Sequence, residues 1–385
     1  MRYDFDKIIN RYGTNSLKYD FADERGKPDG ILPLWVADMD FPAPPEVLAD
    51  IQKAAEHGIF GYTETKEGYD NAVCGWFRKR FGYDVIPSEI VKTPGIVFAL
   101  AQMIRAYTKP SDSVIIQTPV YYPFYDVIRD NDRNLVTNPL VCKDGKYFMD
   151  FDDFERKVAA HNVKLFILCS PHNPVGRVWT RNELETLNEI CKKHGIIIVS
   201  DEIWCDFVYS HTHTIFGHIN ENAVICTAPS KTFNLAGLQV SNIFIKNPEL
   251  RRKLKLSIRQ SGYSQLNTLG LAACKSAYLH GGEWVEQLNE YLAGNIALVR
   301  EFLQNHIPKI KLIEPEGTYL LWLDCRELGL PQSELDNLIT NKAKLWLSNG
   351  TTFGADGEGF MRINIACPRA TLKTALKRLM KIFEH

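Results

Sequence analysis

The sequence lacks the features that mark polyanion-binding or membrane-spanning proteins. Lys and Arg total 45 against 46 Asp and Glu, a formal net charge of −1, and no block of basic residues occurs; a nucleic-acid partner is therefore not expected. No apolar run approaches the roughly 18 residues of a membrane-spanning helix, and the N-terminal "MRYDFDKIIN" has no signal-peptide core. We expect a soluble, cytoplasmic protein that binds neither nucleic acid nor membranes.

Disulfide frames and metal sites are also not indicated. The nine cysteines form no Cys-x-x-Cys pair, and several lie in apolar runs such as "LFILCS" and "AVICTA", which is typical of reduced thiols in a core. The run "SHTHTIFGH" carries His211, His213 and His218 but no acidic residue. We therefore expect no bound metal.

What is present suits a globular enzyme of more than one core. The chain has 385 residues, 45% of them hydrophobic and 24% charged, which is ordinary for a soluble domain but long for a single core. We expect a large domain over 46–282, and a smaller α+β domain formed by 1–45 together with 283–385.

The middle of the chain alternates short β-rich runs with helical patterns. The predicted strands are "SVIIQT" (113–118), "KLFILCS" (164–170), "GIIIVSD" (195–201), "AVICTA" (223–228) and "SNIFIK" (241–246). Each is apolar on both faces, as strands of a covered parallel sheet are. Between them, "TRNELETLNEICKKHG" reads as a helix with Thr180 as N-cap, Glu183 completing a capping box and Gly195 past its end. This predicts an α/β fold with a mostly parallel sheet covered by helices.

Polar residues follow several of these strands. Tyr121, Asn173, Asp201 and Lys231 come at or just after strand ends, where ligand groups gather in open α/β sheets. Singly, Asp201 is more simply a helix cap and Lys231 an ion-pair partner. Together they fit a cofactor that has a protonated ring nitrogen and an aldehyde.

Motifs in the same order resemble fold-type I pyridoxal-phosphate (PLP) enzymes. They are "WVADMDFPAPPEV", "TPGIVFAL", "SPHNPVGR", "SDEIW", "SKTFNLAGL" and "MRINIACPR", spread over about residues 35 to 370. Within that group, the chain is most similar to the cystathionine β-lyase-like C–S lyases that are classed with the class I/II aminotransferases.

The resemblance implies roles for individual residues. Lys231 resembles the lysine that carries PLP, and Asp201 the aspartate that pairs with the pyridinium nitrogen. Asn173 resembles the donor to the phenolic oxygen of PLP. Tyr121 resembles the aromatic residue stacked on the ring, and we assign it to catalysis with Lys231 and Asp201.

Other residues are assigned to the phosphate and the substrate. Ile96 and Val97 begin a helix after Pro94-Gly95 and would bind the phosphate through free backbone N–H groups. Tyr62 resembles a tyrosine that reaches the phosphate from a neighbouring subunit, which implies a homodimer. Arg362 resembles the clamp on the substrate α-carboxylate, and Ala37 is assigned to the substrate site with it and with Asn173.

The sequence departs from the family pattern at three places. Ala228 stands where many relatives have a hydroxyl ligand for the phosphate, and of the nearby Thr227 and Ser230 we assign Ser230 to that task. Trp204 replaces a tyrosine, and indole cannot accept a proton. Gln239 replaces a basic phosphate ligand.

The resemblance implies a C–S β-lyase that converts L-cystathionine or related S-substituted cysteines to a thiol, pyruvate and ammonia. An aminotransferase would use the same residues and is the alternative. A PLP-binding regulatory protein is an alternative of another class, against which the intact catalytic set argues.

Overall fold

The computed structural model describes residues 3–383, which form two main sheets and their covering helices. The strands are β1 (Leu32–Pro33), β2 (Ile90–Thr93), β3 (Ser113–Thr118), β4 (Asn134–Pro139), β5 (Val141–Lys143), β6 (Lys146–Phe148), β7 (Val163–Cys169), β8 (Ile197–Asp201), β9 (Val224–Thr227), β10 (Ser241–Phe244), β11 (Lys311–Leu312), β12 (Leu320–Asp324), β13 (Leu345–Trp346), β14 (Ser348–Asn349) and β15 (Phe360–Asn364). The helices are α1 (Pro45–Glu56), α2 (Glu67–Phe81), α3 (Ile96–Tyr107), α4 (Pro123–Arg129), α5 (Phe151–Ala160), α6 (Arg181–Lys193), α7 (Pro229–Thr232), α8 (Pro248–Gln260), α9 (Thr268–His280), α10 (Gly282–His306), α11 (Gln332–Asn337) and α12 (Arg369–Phe383).

A seven-stranded sheet forms the centre, in the order β2-β10-β9-β8-β7-β3-β4. The ladders from β9 through β8, β7 and β3 to β4 are parallel. Two separate hydrophobic clusters pack on it, one of which contains Ile116, Ile167 and Val199, whereas the other contains Phe166 and Ile198. Alternate side chains of one strand thus serve opposite faces, which explains why these strands are apolar throughout.

The predicted strands are confirmed in position, and one is corrected in direction. The strand predicted at 113–118 matches β3, and the other four differ by one or two residues at their ends. The prediction that 241–246 is a parallel strand is wrong, because β10 pairs antiparallel with both β9 and β2. Apolar residues on both faces report burial on both sides of a sheet and carry no information about strand direction. The sequence reading also missed β2 and β4.

A smaller, four-stranded antiparallel sheet lies towards the C-terminus, in the order β11-β12-β15-β14. The N-terminal segment joins this region through β1, which pairs in parallel with β13. The long helix α10 leads into this region, and α12 ends the described chain. The domain boundaries at 45/46 and 282/283 stay predictions.

Local signals behave as their chemistry requires. Thr180 Oγ1 accepts from the N–H of Glu183 at 3.2 Å, and the N–H of Thr180 donates to Glu183 Oε2 at 2.8 Å, so the capping box that begins α6 is confirmed.

All nine cysteines are free thiols, and only Cys142 is not buried. Across residues 3–383, no helix combines the length and the apolar character that crossing a membrane requires.

Two histidines of the run 210–218 contact acidic residues, although the run itself contains none. His213 Nε2 lies 2.7 Å from Glu202 Oε2, and His211 Nε2 lies 3.4 Å from Glu316 Oε1. These partners come from other parts of the chain, which the run itself could not reveal. Within the described residues, no group of three or more His, Cys, Asp or Glu side chains is placed to hold a metal ion.

Candidate active site

A cavity of about 690 Å³ opens at the carboxyl ends of the central strands. Its size is within the range of small-molecule sites. Most of the residues assigned from sequence line it: Ala37, Ile96, Val97, Tyr121, Asn173, Asp201, Ser230, Lys231 and Arg362. The exception is Tyr62, which is 96% exposed and does not line the cavity of its own chain.

Lys231 lies in the short helix α7 directly after β9, with its amine in the cavity. Its Nζ donates to the carbonyl of Ala37 at 2.8 Å and lies 5.6 Å from the ring centroid of Trp204. Burial lowers the pKa of Lys231 to about 8, although the nearby Asp38 opposes this change. A substantial fraction of the amine is therefore neutral near physiological pH, as a base or nucleophile requires.

Asp201 ends β8 and is 5% exposed. Its Oδ1 accepts from the N–H of Ile203 at 3.2 Å. Among residues 3–383, no cationic side chain forms an ion pair with it. Burial raises the pKa of Asp201 to about 7, and the charge of Glu202 adds to this effect. A buried carboxylate without a cation is costly, and a cationic group bound in the cavity would remove that cost.

Arg362 comes from the other sheet, on β15, and its guanidinium contacts neutral acceptors. Nη1 donates to Asn173 Oδ1 at 2.9 Å, and Nη2 donates to the carbonyl of Trp35 at 2.8 Å and to Ser348 Oγ at 3.1 Å. Its Nε is buried and has no hydrogen-bond partner in the part of the chain that the structure describes. Burial lowers the pKa of Arg362 to about 10, so the side chain stays charged at neutral pH. The cavity thus holds a cation ready for an anionic substrate group.

The N-terminus of α3 forms another wall of the cavity. Gly95 precedes the helix at φ 102°, a conformation that favours glycine, and no side chain caps the first turn. A Cβ built on Gly95 would meet no atom within 4 Å. The early N–H groups of a helix, together with its dipole, attract an anion such as a phosphate. This placement agrees with the assignment of Ile96 and Val97.

The departures from the family pattern can now be examined. Thr227 Oγ1 donates to the carbonyl of Asn242 at 2.7 Å within the sheet, so its hydroxyl is engaged, whereas Ser230 faces the cavity. This geometry favours Ser230, as assigned. Gln239 also lines the cavity. Trp204 packs edge-on against the ring of Tyr319, with centroids 4.7 Å apart.

Three residues that shape the site were assigned no role from the sequence. Tyr319 donates its hydroxyl to the carbonyl of Ala37 at 3.0 Å, the same oxygen that accepts from Lys231. The carbonyl of Trp35 and the hydroxyl of Ser348 both accept hydrogen bonds from Arg362. Ser348 Oγ also donates to the Trp35 carbonyl at 3.2 Å. The motif "WVADMDF" was a signal for the first segment, but contacts made by its carbonyl groups cannot be read from residue types.

The residues present fit PLP. A buried carboxylate that lacks a cation suits the pyridinium nitrogen, an uncapped helix N-terminus suits the phosphate, and a lysine with a lowered pKa suits the aldehyde. Burial also raises the pKa of Tyr121, so its phenol stays protonated. These groups stand around one cavity, and together they would hold the cofactor at its nitrogen, phosphate and carbonyl ends.

Comparison with known proteins agrees with this geometry. Residues 29–379 match the profile of the family described as "Aminotransferase class I and II". The chain belongs to this family. It is 43% identical to cystathionine beta-lyase PatB of Bacillus subtilis (strain 168), over 97% of this chain and 98% of that protein.

Solved structures agree as well, and the fold is the fold-type I architecture of PLP-dependent aminotransferases. A PLP-bound putative aminotransferase from Clostridium difficile 630 superposes with a TM-score of 0.96 at 38% identity, covering 99% of this chain and 100% of that one. Cystalysin from Treponema denticola, which contains a pyridoxal 5'-phosphate cofactor, superposes with a TM-score of 0.95 at 37% identity, covering 99% of both chains.

Proposed function

We propose that the protein is a PLP-dependent carbon–sulfur β-lyase that cleaves L-cystathionine or a related S-substituted cysteine to a thiol, pyruvate and ammonia. The observation that carries the proposal is the meeting of Lys231, Asp201 and Arg362 in one cavity, where none of them forms an ion pair with another residue of the described range 3–383. The 43% identity to a cystathionine beta-lyase over nearly the whole chain supports the choice of reaction.

The side chains divide the work by position. PLP, when bound, supplies an electron sink for the charge left at the substrate α-carbon. Asp201 holds a positive charge at the ring nitrogen, and Lys231 removes the α-proton as a neutral amine. Trp204, whose ring centroid lies 5.6 Å from the amine, cannot accept or exchange that proton. Lys231 therefore keeps the proton until it passes it to the departing sulfur, which leaves as the thiol and returns the amine to its neutral form.

Arg362 and Asn173 orient the substrate. The guanidinium already spans from Asn173 to Trp35, and its buried Nε is free to donate to a carboxylate oxygen. A carboxylate bound there would place the α-carbon of the same amino acid at a defined position before the amine of Lys231. Such positioning contributes to the rate because the reacting atoms no longer need to find each other.

An aminotransferase is the second candidate, and a specific observation favours considering it. The structure with the TM-score of 0.96 is described as a putative aminotransferase. Lys231, Asp201, Asn173 and Arg362 would serve either reaction, because both begin with loss of the α-proton.

The two reactions are separated by counting turnovers with L-cystathionine and no added keto acid. We expect many equivalents of pyruvate and ammonia per active site, since β-elimination regenerates the cofactor in each cycle. A stall after one equivalent, with aminated cofactor accumulating, would instead establish an aminotransferase. The Lys231→Ala variant serves as the control that removes the base.

We further propose a homodimer in which Tyr62 completes the partner's phosphate site. Tyr62 is 96% exposed and lies beside Ile59 and Phe60, which are 72% and 62% exposed. Three large exposed side chains in four positions are typical of an interface. Mixing inactive Lys231→Ala with impaired Tyr62→Phe subunits should restore activity, because the mixed dimer contains one intact site. Activity equal to the sum of the separate variants would rule out a shared site.

A further inference from the structure

The cavity extends beyond the catalytic groups to an outer part with its own character. Leu17, Lys27, Trp35, Asp336 and Trp346 line the same continuous space as Lys231 and Arg362. None of these five was assigned a role from the sequence. The outer part combines two indole rings, one ammonium group and one carboxylate group.

The indole rings form a preorganised wall. Trp35 and Trp346 stack with centroids 4.3 Å apart and planes 10° from parallel. The backbone also fixes the pair, because Trp346 lies on β13, which pairs with β1 two residues before Trp35. A stacked, strand-held pair loses little conformational entropy when a ligand packs against it.

This wall is joined directly to the substrate clamp. The carbonyl of Trp35 accepts from Arg362 Nη2 at 2.8 Å and from Ser348 Oγ at 3.2 Å. A substrate whose α-carboxylate binds Arg362 therefore lies beside the residue that begins the wall. Its sulfur substituent would extend outward along an apolar, polarizable surface, which suits a thioether and methylene groups.

Two opposite charges stand at the outer part without ion-pair partners. Lys27 Nζ lies over the ring of Trp346, 5.5 Å from its centroid. Within residues 3–383, neither Lys27 nor Asp336 has an opposite charge within 4.0 Å. Both are only partly exposed. One donor-only cation against the second indole ring and one acceptor-only anion lining the same cavity match the two charges of a zwitterion at the end of a thioether.

We propose that Lys27 and Asp336 bind the carboxylate and the ammonium group of a second amino-acid unit at the far end of the substrate's sulfur substituent. This inference rests on the proposed function and deepens it. The preferred substrates are then thioethers with an amino-acid head at both ends, the class to which L-cystathionine belongs, above S-alkyl cysteines that lack the second head.

The test compares L-cystathionine with S-ethyl-L-cysteine, which keeps the α-carbon, the sulfur and the leaving chemistry but lacks the distal head. We expect the ratio of kcat/KM for the two substrates to fall about ten-fold in Lys27→Met and in Asp336→Asn, the size of one charge-assisted hydrogen bond. Lys27→Glu should lower the ratio further through repulsion of the carboxylate. Lys192→Met and Asp152→Asn, exposed changes on α6 and α5, are matched controls that should leave the ratio unchanged.

A binding measurement separates this inference from the proposed reaction. Calorimetric titration of PLP-loaded Lys231→Ala with both ligands measures affinity without turnover, and adding Lys27→Met should weaken only the binding of L-cystathionine. An equal loss for both ligands, or no loss, would overturn the distal site. Wild-type protein that binds L-cystathionine in this Lys27-dependent way but releases no pyruvate would refute the lyase and leave the distal site standing.

Discussion

Two buried arginines show how the same side chain serves structure in one region and a ligand in another. Arg177 is 3% exposed and Arg362 is 5% exposed. Arg177 donates through Nε to Glu316 at 2.8 Å and through Nη2 to Glu183 at 3.0 Å, so its charge is neutralised. Arg362 donates hydrogen bonds only to neutral oxygens among residues 3–383, and its Nε has no hydrogen-bond partner there. The charge of Arg177 is therefore balanced within the protein, whereas the charge of Arg362 would be balanced only by a bound ligand.

The carboxylates repeat this contrast. Glu316 accepts from the N–H of Val178 as well as from Arg177, and it pairs with Lys146 at 2.8 Å. These contacts lower the pKa of Glu316 despite the desolvation that opposes them. Asp201 accepts from one backbone N–H and forms no ion pair with any described residue, and burial raises its pKa to about 7. Buried charge left uncompensated is destabilising, and it persists where binding uses it.

Exchanging each arginine for methionine should separate the two roles most clearly. Arg362→Met is expected to lower kcat/KM roughly 10²- to 10³-fold, because it removes a buried charge contact to the substrate, and to leave the free energy of unfolding unchanged or higher. Arg177→Met should lower the free energy of unfolding by about 3–5 kcal/mol, since it removes the buried cation that Glu183 and Glu316 share. Steady-state kinetics and urea unfolding on both variants provide the check. An equal loss of stability in Arg362→Met and Arg177→Met would show that Arg362 also serves the stability of the fold.

The titration of Asp201 makes the same contrast visible as a function of pH. In cofactor-free protein its folded-state pKa of about 7 exceeds the ordinary value near 4. Asp201 therefore destabilises the fold increasingly as pH rises from about 4 to 7, and by a constant amount above that. Asp201→Asn should be more stable than wild type at pH 8, on the order of 4 kcal/mol.

The advantage of Asp201→Asn should shrink as the pH falls and disappear near pH 4. Urea unfolding at a series of pH values measures the difference. A difference that does not depend on pH would mean that the carboxylate already has a cationic partner in the free protein.

The smallest change in stability is expected at Thr180, which lies next to the ion pairs of Arg177. Thr180 caps α6 and also contacts Glu183, the partner of Arg177. Thr180→Ala should lower the free energy of unfolding by about 1 kcal/mol and leave kcat/KM on L-cystathionine unchanged. Thermal unfolding and steady-state kinetics check this; a fall in kcat/KM would show that the network reaches the active site. Thr186→Ala, within the same helix, is a control for loss of a hydroxyl without loss of a cap.

The sequence by itself was enough to place one half of the site. Tyr121, Asn173, Asp201 and Lys231 follow parallel strands, and the carboxyl ends of such strands share one edge of the sheet whatever the detailed packing is. The capping box could also be predicted from the sequence, because the two residues that form it, Thr180 and Glu183, lie within one helical turn.

Only the tertiary structure decided the other half. Arg362 reaches Asn173 across 189 residues of chain, and Lys231 reaches the carbonyl of Ala37 across 194. The direction of β10 and the pairing of Arg177 with Glu316 depend in the same way on long-range packing. Strand and helix signals arise from neighbours a few residues apart, whereas the neutralisation of a buried charge depends on which distant groups the fold brings within hydrogen-bonding distance. That is why the sequence pointed to Arg362 and Asp201, whereas only the folded chain showed that Arg177 and Glu316 neutralise each other and that Arg362 and Asp201 do not.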